Sequence, residues 1–177
     1  MRIANLEIHN FRGIKSCNLD FPVESRVICL IGAGDSTKST ILKAIEWNLW
    51  PTWNLVACDN DFYNGDTNSP IIIRGTFTEI PDALLAEDKF GLYLRSNGTE
   101  LNPDVNDEPV DGAPLCITIE LTINASLEPK WTVVCNRKEP KPISNADRKL
   151  IQIGFVGDNC SKDMVWGRNS VLQKYAN

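Results

Sequence analysis

Five consecutive apolar residues, Val27-Ile28-Cys29-Leu30-Ile31, break abruptly into Gly32-Ala33-Gly34-Asp35, and Lys38-Ser39-Thr40 follows at once. Few folds accommodate that order. An uninterrupted apolar run of this length is the pattern of a central strand buried on both faces. Downstream, Ile41, Leu42, Ile45 and Leu49 fall at helical spacing, which predicts a helix over 39–49 that Pro51 stops. Strand, Gly-rich turn and helix are the sequence of parts that a phosphate-binding loop requires. Successive backbone N–H groups curl round an anion at the positive end of a helix, a lysine adds a point charge, and a hydroxyl reaches a magnesium ion. Set against G-x-x-x-x-G-K-[ST], the chain supplies the first glycine (Gly32), the lysine (Lys38) and the serine (Ser39), but has Thr37 where the second glycine belongs. A β-branched residue crowds that turn, and Asp35 brings a negative charge near the expected phosphates. The plain alternative is a Gly-rich turn before a helix whose lysine is solvated.

The rest of the chain reads mostly as sheet. Residues 2–8 and the alternating stretch 16–21, with Cys17, Leu19 and Phe21 on one side, predict an antiparallel pair around the turn Arg12-Gly13. The segment 58–70 is polar and acidic and reads as a loop, including its cluster Asp59, Asp61 and Asp66. A strand over 71–78 and a short helix over 81–87 follow. The stretch 96–114 combines Pro103, Pro109 and Pro114 with acidic residues, the mark of an exposed connection. Leu115, Ile117, Ile119, Leu121 and Ile123 then alternate with polar residues, and Trp131, Val133 and Cys135 supply a partner strand, so a long hairpin is expected. Beyond it come a helix starting at Ser144 and a short strand over 151–156. Trp47, Trp50 and Trp53, three apart, read as a packing stripe. Arg137, Lys138 and Lys141 read as part of a solvated loop. His9 reads as an exposed strand residue with no carboxylate or cysteine placed to pair with it.

Composition sets limits on function. At 177 residues the chain suffices for one domain, and 42% hydrophobic with 23% charged residues are globular values. A net charge of −5 gives no bulk positive field to hold a phosphate backbone, so any nucleic-acid contact is local or supplied elsewhere. There is no apolar run long enough for a spanning helix and no signal-peptide pattern at the start, which implies a cytoplasmic protein without a membrane partner. Six cysteines far apart and a single histidine leave no zinc ligand set, and the expectation is reduced, structural thiols.

The opening Ile3 to Ile14, ending Ile8-His9-Asn10-Phe11-Arg12-Gly13-Ile14, followed about twenty residues later by the Gly-rich turn, Lys-Ser-Thr and Ile41-Leu42-Lys43-Ala44-Ile45, resembles the N-terminal half of the ABC-type ATPases of the SMC, RecF and overcoming-lysogenisation-defect (OLD) group. The remainder, including Ser126-Leu127-Glu128-Pro129 and Val165-Trp166-Gly167-Arg168, looks like bacterial OLD-type or RecF-like AAA-family ATPases. The resemblance implies an α/β fold, a P-loop NTPase N-terminal lobe with a mixed sheet around the phosphate loop plus an antiparallel β region. It implies ATP and Mg²⁺ as cofactors. Lys38 would contact the β- and γ-phosphates, Ser39 would ligate Mg²⁺, and Thr40 would approach the α-phosphate. The amides of Gly34, Asp35, Ser36, Thr37 and Lys38 would line the cradle that Gly32 opens, and Arg12, with Asn10 beside it, would reach the nucleotide from the hairpin.

On that resemblance 1–177 forms a single lobe, with a P-loop core over 1–90, a β-hairpin region over 91–142 and a connection over 143–177 toward a C-terminal lobe. No signature loop or apolar run closing on paired carboxylates is present, and no nuclease domain. The expected partners are therefore a second copy joined through ATPase heads, a nuclease domain or subunit, and DNA through the full assembly. The expected output is ATP hydrolysis coupled to head dimerisation in DNA processing or anti-phage defence. The competing expectation is an interaction module that keeps the fold while Thr37 and Asp35 have abolished nucleotide binding.

Overall fold

Alternation of apolar and polar residues sets which side of β1 is buried, and in β3 and β5 the side carrying Ile73, Ile119 and Leu121 is buried along with Thr76, Thr78 and Thr118 on the other. A computed structural model describes residues 1–22, 24–34, 37–98, 105–151, 154 and 156. Strands β1 (Arg2–Phe11), β2 (Ile14–Asp20), β3 (Ile71–Thr78), β4 (Arg95–Ser96), β5 (Leu115–Ile123), β6 (Pro129–Cys135) and β7 (Lys138–Pro142) form one sheet in the order β2-β1-β3-β5-β6-β7, with β4 pairing β5 off that path. Leu6, Ile8, Ile73, Ile119, Leu121 and Val133 lie on its buried face, all fully or almost fully inaccessible to water. Glu7, Arg74 and Glu120 lie in register across the other face and form a ladder of ion pairs. Burial alone would weaken the Arg74 charge, but the hydrogen bond and charge of Glu120, then of Glu7, outweigh it and raise its pKa.

Helix α1 (Lys38–Asn48) packs on the buried face through Ile41, Ala44 and Trp47. Its last residue is polar and almost wholly buried. The Asn48 amide nitrogen donates to the carbonyls of Ile73 and Ile119, both at 2.9 Å, and so ties the end of α1 to two neighbouring strands. Gly75, paired with Ile119, makes the room: a Cβ there would lie 2.5 Å from the Phe77 ring and 2.7 Å from Asn48 Oδ1. Trp131 Nε1 donates to the Trp47 carbonyl at 3.0 Å. Helix α2 (Asn145–Leu150), started by Ser144 as expected, secures the segment after α1. Its Arg148 donates to the carbonyls of Trp50 and Thr52 and lies 4.0 Å from the Trp131 ring centre.

The α/β lobe and the long hairpin are as expected, and β3 has the expected bounds. The apolar run 27–31 differs. It forms no strand, and Val27 and Ile31 are 75% and 93% exposed. Every strand pair among the described residues is antiparallel, so the parallel component of a mixed sheet is not formed. The physical reason is that a doubly buried strand exists only where neighbours cover both its edges and faces, and no described strand flanks this run. The basic stretch read as a solvated loop is instead the turn after β6, which holds Arg137, and the edge strand β7, which holds Lys138 and Lys141 and tolerates Pro140 and Pro142 because one edge needs no donors. Two of its three cations are engaged internally, Arg137 donating to the Leu94 carbonyl and Lys141 to those of Asp88 and Lys89, while Lys138 is exposed. The helix expected over 81–87 is a single 3₁₀ turn, Asp82–Leu84. Of the strand expected over 151–156, Ile151, Gly154 and Val156 are not in a strand, and the other positions lie outside the described residues, as do 157–177. Cysteines 17, 29, 58, 116 and 135 are free thiols, and burial pushes the Cys116 thiol up to about 11.

Lys89, in the turn segment that follows the 3₁₀ turn Asp82–Leu84, pairs with Asp147 of α2 at 2.8 Å. Burial alone would raise the Asp147 carboxyl, but the hydrogen bonds from Lys89 and Ser144 and the charge of Lys89 outweigh it and hold the carboxyl below its ordinary value. The Lys89 ammonium is raised by its hydrogen bond to Asp147. A depressed carboxyl stabilises the fold above its unfolded pKa of about 3.9 and loses that effect as pH falls through the folded value; a raised ammonium loses its effect only as pH climbs past about 10.4. Lys89→Met therefore lowers the thermal midpoint at pH 7, and the difference from wild type shrinks steadily as pH falls below about 4. Thermal unfolding of the two proteins across that range checks it; a difference independent of pH would contradict it.

Candidate nucleotide-binding site

The turn between β1 and β2 is built from strained backbone held by named partners. Asn10 (φ 54°) and Arg12 (φ 48°) both occupy the left-handed region that favours glycine. The Asn10 amide donates to the carbonyls of Asp66 (3.0 Å) and Ser69 (2.6 Å), which clamps the acidic loop to the strand. The backbone N–H of Arg12 donates to the Asp61 carbonyl at 2.8 Å, and its Nε and Nη2 both reach Asp61 Oδ1 at 2.9 Å. The other carboxylate oxygen accepts from the Cys58 N–H at 3.0 Å and the Cys58 thiol at 3.3 Å. Phe11 and Trp47, ring centres 5.0 Å apart, lie beneath the Arg12 guanidinium at 5.3 and 5.5 Å. The side chain of Arg12 is thereby fixed in direction while 38% of it stays open to water.

The Gly-rich loop leads into Thr37, whose Cγ2 lies against Gly13 of this turn. Thr37 is the N-cap of α1, with φ 60° and ψ 12°, the left-handed conformation that explains why a glycine suits this position. For a threonine it costs about 1–2 kcal/mol. No side chain caps the helix start and no acidic residue lies in its first turn. The Thr37 carbonyl accepts the Ile41 N–H at 3.0 Å, while the amides ahead of Ile41 are those a helix leaves without an intrahelical partner. The Lys38 ammonium folds back over the loop, donating to the carbonyls of Gly32 at 2.9 Å and of Ala33. Gly32, Ala33, Gly34 and Ser39 are exposed, and Lys38 and Thr40 half-buried. Asp35 and Ser36 lie outside the described residues.

Gly32, Gly34, Thr37, Lys38, Ser39 and Thr40 thus occur together at the start of one helix, with Arg12 on the adjoining turn. Asn10 serves as a clamp, its amide spent on loop carbonyls. Sequence reasoning missed Asp61, which is 6% exposed where its neighbours Asp59 and Asp66 are not buried. Its one legible signal was the acidic cluster, read as a solvated loop. His9 is half-buried, with Ser16 Oγ 3.2 Å from Nδ1 and, against expectation, a carboxylate oxygen of Glu7 4.0 Å from Nε2. Trp47 is buried and Trp50 packs against the core, whereas Trp53 is 73% exposed.

A helix start with a lysine and an exposed serine hydroxyl fits a phosphate group. Toward Mg²⁺ the described residues offer the Ser39 hydroxyl, and no cluster of three His, Cys, Asp or Glu side chains lies among them. That fits an ion that keeps several waters and is held mainly by phosphate oxygens.

These features define a P-loop lobe of α/β type. The model of the AAA ATPase domain family matches residues 1–163, and the chain belongs to that family. No curated protein matches it. Among solved structures it is similar in fold, at 13% identity and a TM-score of 0.55 over 90% of this chain and 88% of the other, to one described under the structural biochemistry of ATP-driven dimerization and DNA stimulated activation of SMC ATPases. No helix among the described residues is long and apolar enough to cross a membrane.

The Arg12–Asp61 pair is tested by Asp61→Asn, which keeps the shape and removes the charge. A charge-assisted hydrogen bond is then lost at a buried acceptor, and screening at the open side of Arg12 limits the effect to about 1–2 kcal/mol. The urea midpoint at pH 7 reads it, and an unchanged midpoint would show that the pair does not hold the turn.

Proposed function

We propose that this chain is the ATP-binding lobe of an OLD/RecF/SMC-like ATPase. One observation carries the reading: Lys38, Ser39 and Thr40 open α1 directly after an exposed Gly-rich loop, with a fixed, partly exposed arginine on the adjoining turn. In this reading Lys38 leaves the carbonyls of Gly32 and Ala33 to meet the β- and γ-phosphates, and the amides from Gly34 to Lys38, including those of Asp35 and Ser36, line the cradle. Thr40 lies near the α-phosphate, Ser39 faces the magnesium ion, and Arg12 approaches the nucleotide from the hairpin. Asn10 supports Arg12 by holding the loop beside it. The ion supplies charge neutralisation of the phosphates when bound.

The lobe organisation belongs to the same proposal: a P-loop core over 1–90, the hairpin region over 91–142, and 143–177 leading toward a second lobe. The exposed apolar side chains of Val27, Ile28 and Ile31 support it, because a run of this pattern becomes a strand once neighbours cover it. ATP binding would bring two heads together. A cytoplasmic setting, a role in DNA processing or anti-phage defence, and a nuclease domain or subunit as partner extend the reading by resemblance.

Calorimetric titration of Mg-ATP into wild type and Lys38→Ala tests it. Loss of a charge-assisted contact to phosphate weakens binding about ten- to hundredfold. Equal binding by both proteins, or none by folded wild type, would overturn the reading and favour an interaction module that keeps the fold without the nucleotide.

A further inference from the structure

Gly13 is a glycine for a reason outside its own backbone. Its φ lies outside the left-handed region, unlike those of Gly65 and Gly112, so an L-residue would fit the local conformation. What crowds a side chain there is Thr37: a Cβ on Gly13 would lie 3.0 Å from Thr37 Cγ2, tighter than ordinary van der Waals contact, so that one of the two must give by a few tenths of an ångström. Gly34, within the loop, meets nothing within 4 Å. The one residue that departs from the phosphate-loop pattern is thus also the residue whose methyl group rests against the hairpin turn.

We propose that Gly13 is a positioning residue for the phosphate loop, leaving the space in which the Thr37 methyl sits so that Thr37 can hold the left-handed turn that starts α1. The inference rests on the nucleotide reading above and extends it to a residue in the opposite element. The direction of yielding follows from what pins the turn and from the backbone strain at Thr37. The turn is pinned by the Phe11–Ile14 pairing, by the backbone and side-chain bonds of Arg12 to Asp61, and by Phe11 packing on Trp47. Thr37 sits in a left-handed conformation that a threonine resists. A methyl group added at Gly13 therefore displaces Thr37, and with it the amides and the lysine that follow. In a chain with glycine at position 37 the same addition meets nothing there.

The test is a double-mutant cycle with Gly13→Ala, Thr37→Gly and the combination, reading Mg-ATP dissociation constants and thermal midpoints. A displacement of a few tenths of an ångström at the cradle weakens Mg-ATP binding about tenfold in Gly13→Ala, given that a 1 Å misplacement costs on the order of a hundredfold. Thr37→Gly alone binds at least as tightly as wild type, and in that background Gly13→Ala changes binding less than about twofold. Equal losses in both backgrounds, or no loss in wild type, would overturn the proposal. Should folded wild type bind no nucleotide, the nucleotide reading fails while the midpoints still decide the contact. A midpoint lowered by Gly13→Ala only in the presence of Thr37 upholds the positioning, and one lowered equally in both backgrounds overturns it.

Discussion

The Asn48 amide fixes where everything else in the site can be. One side chain, buried at the end of α1, donates to carbonyls on two adjacent strands, and a glycine on the sheet leaves space for it. A helix eleven residues long is marginal by itself, so its position comes from what it packs against. With its far end tied by Asn48, by Trp131 on the Trp47 carbonyl and by Arg148 on the segment that follows, the start of α1 falls beside the β1–β2 turn. The Gly-rich loop and Arg12 become neighbours through that placement, although the residues concerned are about 25 positions apart.

The strain in the site is concentrated where the two elements meet. Asn10, Arg12 and Thr37 are all non-glycine residues with left-handed backbone, and each is compensated differently. Asn10 gains two hydrogen bonds to a loop, Arg12 gains a buried carboxylate and two aromatic faces, and Thr37 gains room from Gly13. Strained residues persist only where their surroundings over-determine them, and they gather at functional sites. The β1–β2 turn and the loop meet that description as a unit.

Much of the sheet was legible in the sequence because strict alternation is a local signal. In Leu115 to Ile123 and Trp131 to Cys135 the apolar side is buried from Ile117 to Ile123 and at Trp131 and Val133, although Cys116 and Thr118 on the other side of β5 are buried too and Leu115 is exposed. The helix with Lys38-Ser39-Thr40 at its start was legible from Ile41, Leu42, Ile45 and Leu49 at helical spacing, although the face it buries is Ile41, Ala44 and Trp47 while Leu42 is exposed. The run Val27 to Ile31 was misread because an apolar run states only that burial would be favourable; it does not supply the neighbouring strands that make a strand. Arg137, Lys138 and Lys141 read as a solvated loop, yet an edge strand forms there because an edge position accepts Pro140 and Pro142. Asp61 could not be found by pattern, since its partner Arg12 lies 49 positions away and its own neighbours are solvated acids. Asn48 was equally hidden, a polar residue at a helix end whose carbonyl partners come from β3 and β5.

The central claim is that the loop at 32–40 and the turn carrying Arg12 and Gly13 form one anion site at the head of α1. Amide chemical-shift mapping of the chain during titration with Mg-ATP tests this most directly. The account predicts the largest shifts at Gly32, Gly34, Lys38, Ser39 and Thr40, with accompanying shifts at Arg12 and Gly13 and little change along the Glu7–Arg74–Glu120 ladder on the opposite face. Shifts confined to that ladder, or a folded spectrum that does not respond to Mg-ATP, would contradict it.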